Sequence, residues 1–446
     1  MCESRSELGL TRISEKWTLI NDITLYLSGN VCKNISVIKV SNDNLPANGE
    51  LYFLPSLKVW RSILQDRDPC DGKCATILQH FLHTHGRDTG NKTGADIVLQ
   101  LLISSSSNWS VKLERYTLRN ERVCLFLQRL PLTANSIKTV VARKRNFGKP
   151  LPIDKVFHFE IDEDRESELT TRRLCFIKNV SEKLVSLHGC QTSEEESNVK
   201  LVFTTKSQGA VKENYSKCVC GVVKNSKLNS KETKLTWKEH IENKVLELKE
   251  LNEQKYFETQ ERDVEDQFLE NVARATATFE LLSLKPSRSV FVGCNSATDR
   301  RTTNTKGASF VLYNTARITA IIEKYNDRKS AGEYPSLPNI DDVNFALLDQ
   351  EEEWELIYNF IIGYPEMIKS CLKCEPQFQT NPQVICIFLS RLCQKFSIYY
   401  HRTRILTEAY DHLIPTMIAR LYMLHALQLI FENVLALLDI VPITRM

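Results

Sequence analysis

Apolar residues recur at helical spacing through most of the last third of the chain. Val384, Ile385, Phe388, Leu389, Leu392, Phe396 and Tyr399 fall at i, i+3, i+4 and i+7, which predicts one buried helix face. Leu421, Leu424, Leu427, Ile430, Phe431, Val434, Leu435 and Leu438 extend the pattern over a longer run. Pro365, Pro376, Pro382 and Pro415 set the breaks, because proline cannot donate the helical hydrogen bond. Residues 309–446 are therefore expected to form an all-α helical bundle whose stripes bury one another.

Upstream the pattern is mixed, so the chain is expected to be α+β overall. Residues 1–150 read as an α/β domain without a catalytic constellation. They hold a helix near 19–27, a strand near 36–40, an amphipathic helix over 74–83, a serine loop at 104–107 and a strand-like run at 122–130. Residues 151–295 open with the alternating strand 155–161, followed by a charged loop, a helix ending near Gly189 and a short strand at 201–204. Two helices follow, over 237–251 and 264–282, then a strand at 289–292. The first carries interleaved Glu242, Lys244, Glu247 and Lys249 and is expected to be a solvated face. Residues 296–308 form a linker containing Arg300, Arg301 and Lys306.

Charge adds local detail. The formal net charge is only +3, yet residues 206–238 hold eight lysines against two glutamates. Such a stretch suits a polyanion. Arg143, Lys144 and Arg145, followed by Phe147, read either as an RNA-backbone contact or as an exposed linker. No secretory leader and no stretch long and uncharged enough to span a bilayer is read, so the expectation is a cytoplasmic protein without a membrane partner. The fourteen cysteines then read as free thiols. Cys371 and Cys374 have zinc-like spacing but lack a second pair, so no metal is expected.

The C-terminal residues also carry a resemblance. Phe310, Tyr313 and Arg317 match an aromatic-x-x-Tyr-x-x-x-Arg helix. Tyr399 and Tyr400 match an aromatic pair near the end of a central helix, with Arg404 on the next turn. Ile440, Pro442, Arg445 and Met446 match the closing tail, with Asp439 where glycine is usual. These features resemble the DALR domain, the helical anticodon-binding domain of arginyl-tRNA synthetases. The strand and helix over 155–189 resemble the first nucleotide-binding unit of a class I synthetase. There the family carries His-x-Gly-His, and this chain has Leu169, Thr170, Thr171 and Arg172. Neither histidine nor glycine is present to hold ATP phosphates. The mobile Lys-Met-Ser-Lys-Ser-type loop is replaced by residues 222–231, and the segment between the two elements is too short for a full doubly wound sheet.

The resemblance therefore implies a DALR domain behind a degenerate, shortened class I section. It implies no catalytic residues, no cofactor and no enzymatic activity. The RNA-binding residues carried over are Phe310, Tyr313, Arg317, Tyr399, Tyr400, Arg404, Arg445 and Met446, with Arg300, Arg301 and Lys306 on the flanking phosphates. The implied partners are arginine tRNA isoacceptors and a tRNA 3-methylcytosine methyltransferase served by an adaptor. The competing readings are a divergent active arginine–tRNA ligase and a protein-interaction scaffold without an RNA role.

Overall fold

A computed structural model describes residues 15–31, 36–64, 69–85, 93–150, 152–208, 214–253, 262–293 and 307–443. They pack as two units: Met1–Thr139 with Ile340–Gly363, and Val140–Asn339 with Tyr364–Met446. The fold is α+β. The packing divides between Thr139 and Val140 and takes Ile340–Gly363 into the first unit. Residues 294–306, most of the expected linker, lie outside the described residues.

The first unit is built on an antiparallel sheet in the order Ile38–Val40, Leu51–Phe53, Arg122–Leu127, Leu113–Arg119. Helices Glu15–Ser28, Leu57–Leu64, Ile77–Thr84 and Thr93–Ser106 accompany it. Ile77–Thr84 starts at a capping box between Thr76 and Gln79. The expected serine loop is a helix end instead. Ser104 Oγ donates to Gln100 O at 3.0 Å and Ser106 Oγ to Ile103 O at 2.6 Å, so serine bonds back to the turn it was expected to break. Ile340–Gly363 joins this unit because its tryptophan and tyrosine reach Glu50. Trp354 Nε1 donates to the Glu50 carboxylate at 2.8 Å and Tyr358 Oη to the Glu50 carbonyl at 2.9 Å.

The second unit begins with a parallel sheet in the order Gln191–Thr192, Val156–Ile161, Val199–Thr204, Tyr215–Val219. Helix Glu168–Leu187 follows the first of these strands in sequence. A separate parallel pair, Val223–Asn225 with Val290–Val292, lies in a core of Leu169, Trp237, Ile241, Ala273, Ala277 and Leu281. Helices Trp237–Glu253 and Arg262–Leu282 complete that core. The charged helix is not simply a solvated face. His240 and Lys244 are buried, with Glu280 accepting His240 Nε2 at 3.1 Å and lying 3.7 Å from Lys244 Nζ. Buried ionisable groups are kept where partners meet them, and the alternating charges hid that pairing. In the basic run, Phe147 is buried and stacks on Tyr364 at a centroid distance of 5.6 Å.

The C-terminal part packs helices Gly307–Ser330, Tyr364–Cys371, Pro382–Arg402 and Ile414–Leu437. Pro365, Pro382 and Pro415 sit in first turns, where a missing amide costs nothing. Pro376 lies in the connection between strands Leu372–Lys373 and Gln379–Thr380. Cys371 is buried, and burial pushes its thiol up to about 12. Among the described residues no three His, Cys, Asp or Glu side chains converge as a metal site. One sequence expectation needs correction. Ile414–Leu437 is long and apolar enough to cross a membrane by length and composition. Its apolar residues run all round the helix, and 61% of its most apolar window is buried inside the fold, as in a central core helix.

Asp439 follows the end of that helix with φ of 57°, the left-handed conformation that favours glycine. Ile440 N closes the helix onto Leu435 O at 3.1 Å. Lys183 Nζ bonds both the Asp439 carboxylate and Ala436 O, which compensates for the missing glycine. Asp439→Ala should destabilise by about 1 kcal/mol, since alanine keeps the strain and loses Lys183. Asp439→Gly should stay near wild type. Thermal melts of both variants check the difference.

Candidate nucleic-acid interface

Helices Gly307–Ser330 and Pro382–Arg402 create the candidate site where they pack. The first buries Val311, Leu312, Thr315 and Ile318, which turns Tyr313 and Arg317 outward one turn apart. The second buries Phe396 and Tyr399, which turns Tyr400 outward in its last turn. The Arg317 guanidinium lies 4.3 Å from the Tyr313 ring centroid and 4.2 Å from that of Tyr400. Its Nη2 donates to Tyr313 Oη. Arg317 thus lies against two aromatic rings at once, a cation–π arrangement that holds all three side chains in place. Among the described residues its buried Nη1 has no acceptor. Tyr313 and Tyr400 remain 41% and 38% exposed, so ring surface is left for a nucleobase.

The other expected residues divide. Tyr399 is 0% exposed, which corrects its place in the RNA-binding set: it shares the helix face of Leu392 and Phe396, and that face is packed into the core. Phe310 is half-buried. Arg404 is exposed in the loop after Pro382–Arg402, its Nε donating to Leu406 O at 3.2 Å and its Nη2 3.5 Å from Glu408. Buried Arg420 anchors the loop through a 3.2 Å bond to Arg404 O. Arg300, Arg301, Lys306, Arg445 and Met446 lie outside the described residues. Sequence reading missed His401, edge-on to Tyr400 at 6.2 Å, and the exposed Tyr410 ring stacked on His412 at 5.9 Å. The Tyr-x-His spacing in a loop before Pro415 was the available signal.

The stretch that the sequence sets against His-x-Gly-His is packed into the fold. Leu169 and Thr170 are buried, and Thr170 Oγ1 accepts from Val223 N at 3.1 Å. Ser167 caps the helix by accepting from Thr170 N. Asp164 and Glu166 hold Lys231 Nζ at 2.7 and 2.8 Å, and Asp162 holds Lys206 at 3.1 Å. Two lysines of the basic stretch are therefore committed to carboxylates, while Lys227 and Lys234 are exposed.

The DALR anticodon binding domain family matches residues 311–446. Residues 311–446 are a DALR anticodon-binding domain. The match takes in the helices that carry Tyr313, Arg317 and Tyr400. A DALR anticodon-binding domain-containing protein 3 of Danio rerio is 29% identical over 234 residues, 51% of this chain and 41% of that protein. An arginine–tRNA ligase of Borreliella afzelii (strain PKo) is 31% identical over 137 residues, 31% of this chain and 21% of that ligase. The matched regions thus span less than half of these relatives. Thermus thermophilus arginyl-tRNA synthetase superposes with a TM-score of 0.57, covering 96% of this chain and 99% of that one, at 9% identity. That likeness is one of fold.

Proposed function

We propose that the chain is a non-catalytic cytoplasmic tRNA-binding protein that grips the anticodon arm of arginine tRNAs. In this reading it presents them to a modifying enzyme, a 3-methylcytosine methyltransferase. The observation that carries the RNA reading is Arg317 lying against Tyr313 and Tyr400 on a DALR domain. RNA loops are read by stacking splayed bases on aromatic and guanidinium planes, and this site offers both. The non-catalytic reading is supported by the ATP-like corner. Phosphate binding calls for donors, and the loop before helix Glu168–Leu187 carries instead Asp162, Asp164 and Glu166, the last two of which hold Lys231. The arginine preference rests on the ligase relatives, and the methyltransferase on the resemblance to free-standing DALR proteins.

Gel-shift titration of several tRNAs at two salt concentrations tests the reading. Tyr400→Ala and Arg317→Ala should each cost ~1–3 kcal/mol for arginine tRNA, the range for a lost base stack. Arg317→Lys should not restore binding, since an ammonium has no plane to lie against the rings. Lys227→Ala or Lys234→Ala should weaken all tRNAs alike and lower the salt slope by about one unit. Equal affinity for every tRNA, unchanged in the Tyr400 and Arg317 variants, would leave a general polyanion binder. ATP–pyrophosphate exchange with arginine and tRNA should stay at the buffer level; turnover would restore the ligase reading. Pull-down followed by mapping of methylated cytosines in arginine tRNAs tests the adaptor role.

A further inference from the structure

We propose that strand Leu113–Arg119 is a docking edge for an extended, acidic segment of a partner protein. The segment would add as a fifth strand and set its carboxylates against Arg115, Arg119 and Arg122. This goes beyond the RNA reading and stands or falls independently of it.

Leu113–Arg119 ends the sheet order and, among the described residues, pairs with Arg122–Leu127 alone. Among the described residues no other backbone hydrogen bond involves residues 114–119. Its outward amides and carbonyls are a template for another strand. The register pairs Arg115 with Phe126, Thr117 with Cys124 and Arg119 with Arg122, which places these side chains on one face. Tyr52 pairs with Cys124 and Lys39 with Tyr52, so both share that face.

Four cations, Lys39, Arg115, Arg119 and Arg122, are therefore exposed together. Among the described residues none of them is within ion-pair distance of a carboxylate. Two of the guanidiniums lie over rings, Arg115 at 3.5 Å from the Phe126 centroid and Arg122 at 4.7 Å from that of Tyr52. Such planes are held ready to bind carboxylates in a bidentate fashion. On the other face of the same strand Leu118 is 60% exposed.

Charge on an edge strand by itself protects against aggregation. Here four cations from three strands outnumber the two exposed carboxylates nearby, Glu114 on the same strand and Glu121 in the turn before Arg122, and an exposed leucine lies on the opposite face of the strand. A phosphodiester backbone would use the cations but neither the amide ladder nor Leu118. An extended peptide with acidic residues at alternate positions and apolar methyls between them uses all three.

The test uses the full chain and fluorescein-labelled ten-residue peptides of alternating glutamate and threonine, read by anisotropy. The glutamate peptide should bind, and the same peptide with lysine for glutamate should not. Arg119→Glu should weaken binding about tenfold or more, and Arg122→Gln should weaken it less. N-methylation of one alternate set of peptide amides should weaken binding about tenfold, and methylation of the other set should not. Circular dichroism of the variants keeps folding apart from binding. Failure of the glutamate peptide to bind, or indifference to methylation in both registers, would overturn the docking edge. An RNA hairpin that displaces the peptide with the same dependence on Arg119 and Arg122 would assign the face to nucleic acid instead.

Discussion

Arg173→Ala should destabilise the second unit by about 3–5 kcal/mol, since hydrogen bonds to a charged group contribute roughly 1.5–3 kcal/mol each and truncation also leaves a cavity. The side chain is 1% exposed. Its guanidinium donates to three backbone carbonyls: Nε to Leu281 O at 2.9 Å, Nη1 to Gly221 O at 2.5 Å and Nη2 to Lys285 O at 3.2 Å. Helix Glu168–Leu187 is thereby tied to the end of Arg262–Leu282 and to the turn before Val223–Asn225. Burial lowers the Arg173 pKa from its ordinary value to about 10, so the group stays charged at neutral pH. Removal would take a charged donor from Leu281 O and Gly221 O, while Lys285 O keeps Arg288 N, and would leave a cavity the size of the side chain.

Arg173→Lys should recover little, because one ammonium on a shorter reach cannot span three acceptors in a fixed fork. The turn is equally constrained. A Cβ at Gly221 would stand 2.3 Å from the Arg288 carbonyl carbon, so the Arg173 acceptor is held where only glycine passes. Urea unfolding followed by far-ultraviolet circular dichroism measures the loss. An Arg173→Ala midpoint within error of wild type would show that the carbonyls find other donors.

Arg173 also shows where sequence reading stops. Arg172 and Arg173 look alike in the chain, yet one lies over Trp237 at 5.3 Å and the other is sealed in the core. The acceptors that decide this lie 48 to 112 residues away. Local periodicity carries no information at that range. The helices of the DALR domain were legible because their stripes repeat within a few turns, and the i, i+4 spacing put Tyr313 and Arg317 on one helix face, though the resemblance is what singled them out. Tyr400 was found through resemblance, and the same resemblance brought in buried Tyr399. That Arg317 lies against both tyrosine rings was not legible, since it depends on how two helices separated by more than fifty residues pack. Docking of Ile340–Gly363 onto the first unit was hidden likewise, because its anchor, Glu50, is 304 residues from Trp354.

That anchor gives the second large effect. Glu50→Ala should destabilise the first unit by about 3–5 kcal/mol, because several buried donors lose one acceptor together. The carboxylate is fully buried and accepts from Leu127 N at 3.0 Å, Arg129 Nε at 3.2 Å and Trp354 Nε1 at 2.8 Å. Burial raises the Glu50 pKa above its ordinary value, and Arg129, Leu127 and Trp354 only partly oppose that rise. The sign of the pH dependence follows. Between the ordinary carboxylate range, about 4.3, and the raised folded value, the folded state binds more protons than the unfolded chain. The contribution of Glu50 is fully present below the ordinary value and is lost as pH rises through the folded one. Glu50→Gln cannot titrate and keeps one acceptor oxygen, so at neutral pH it should cost less than Glu50→Ala, about 1–2 kcal/mol. The stability gap between wild type and Glu50→Gln should then widen in favour of wild type as pH is lowered from neutral toward 5. Paired urea titrations across that range measure the gap directly. A gap that stays flat or narrows on acidification would mean that Arg129, the Leu127 amide and the Trp354 indole outweigh burial, and that the carboxylate is held ionised in the core.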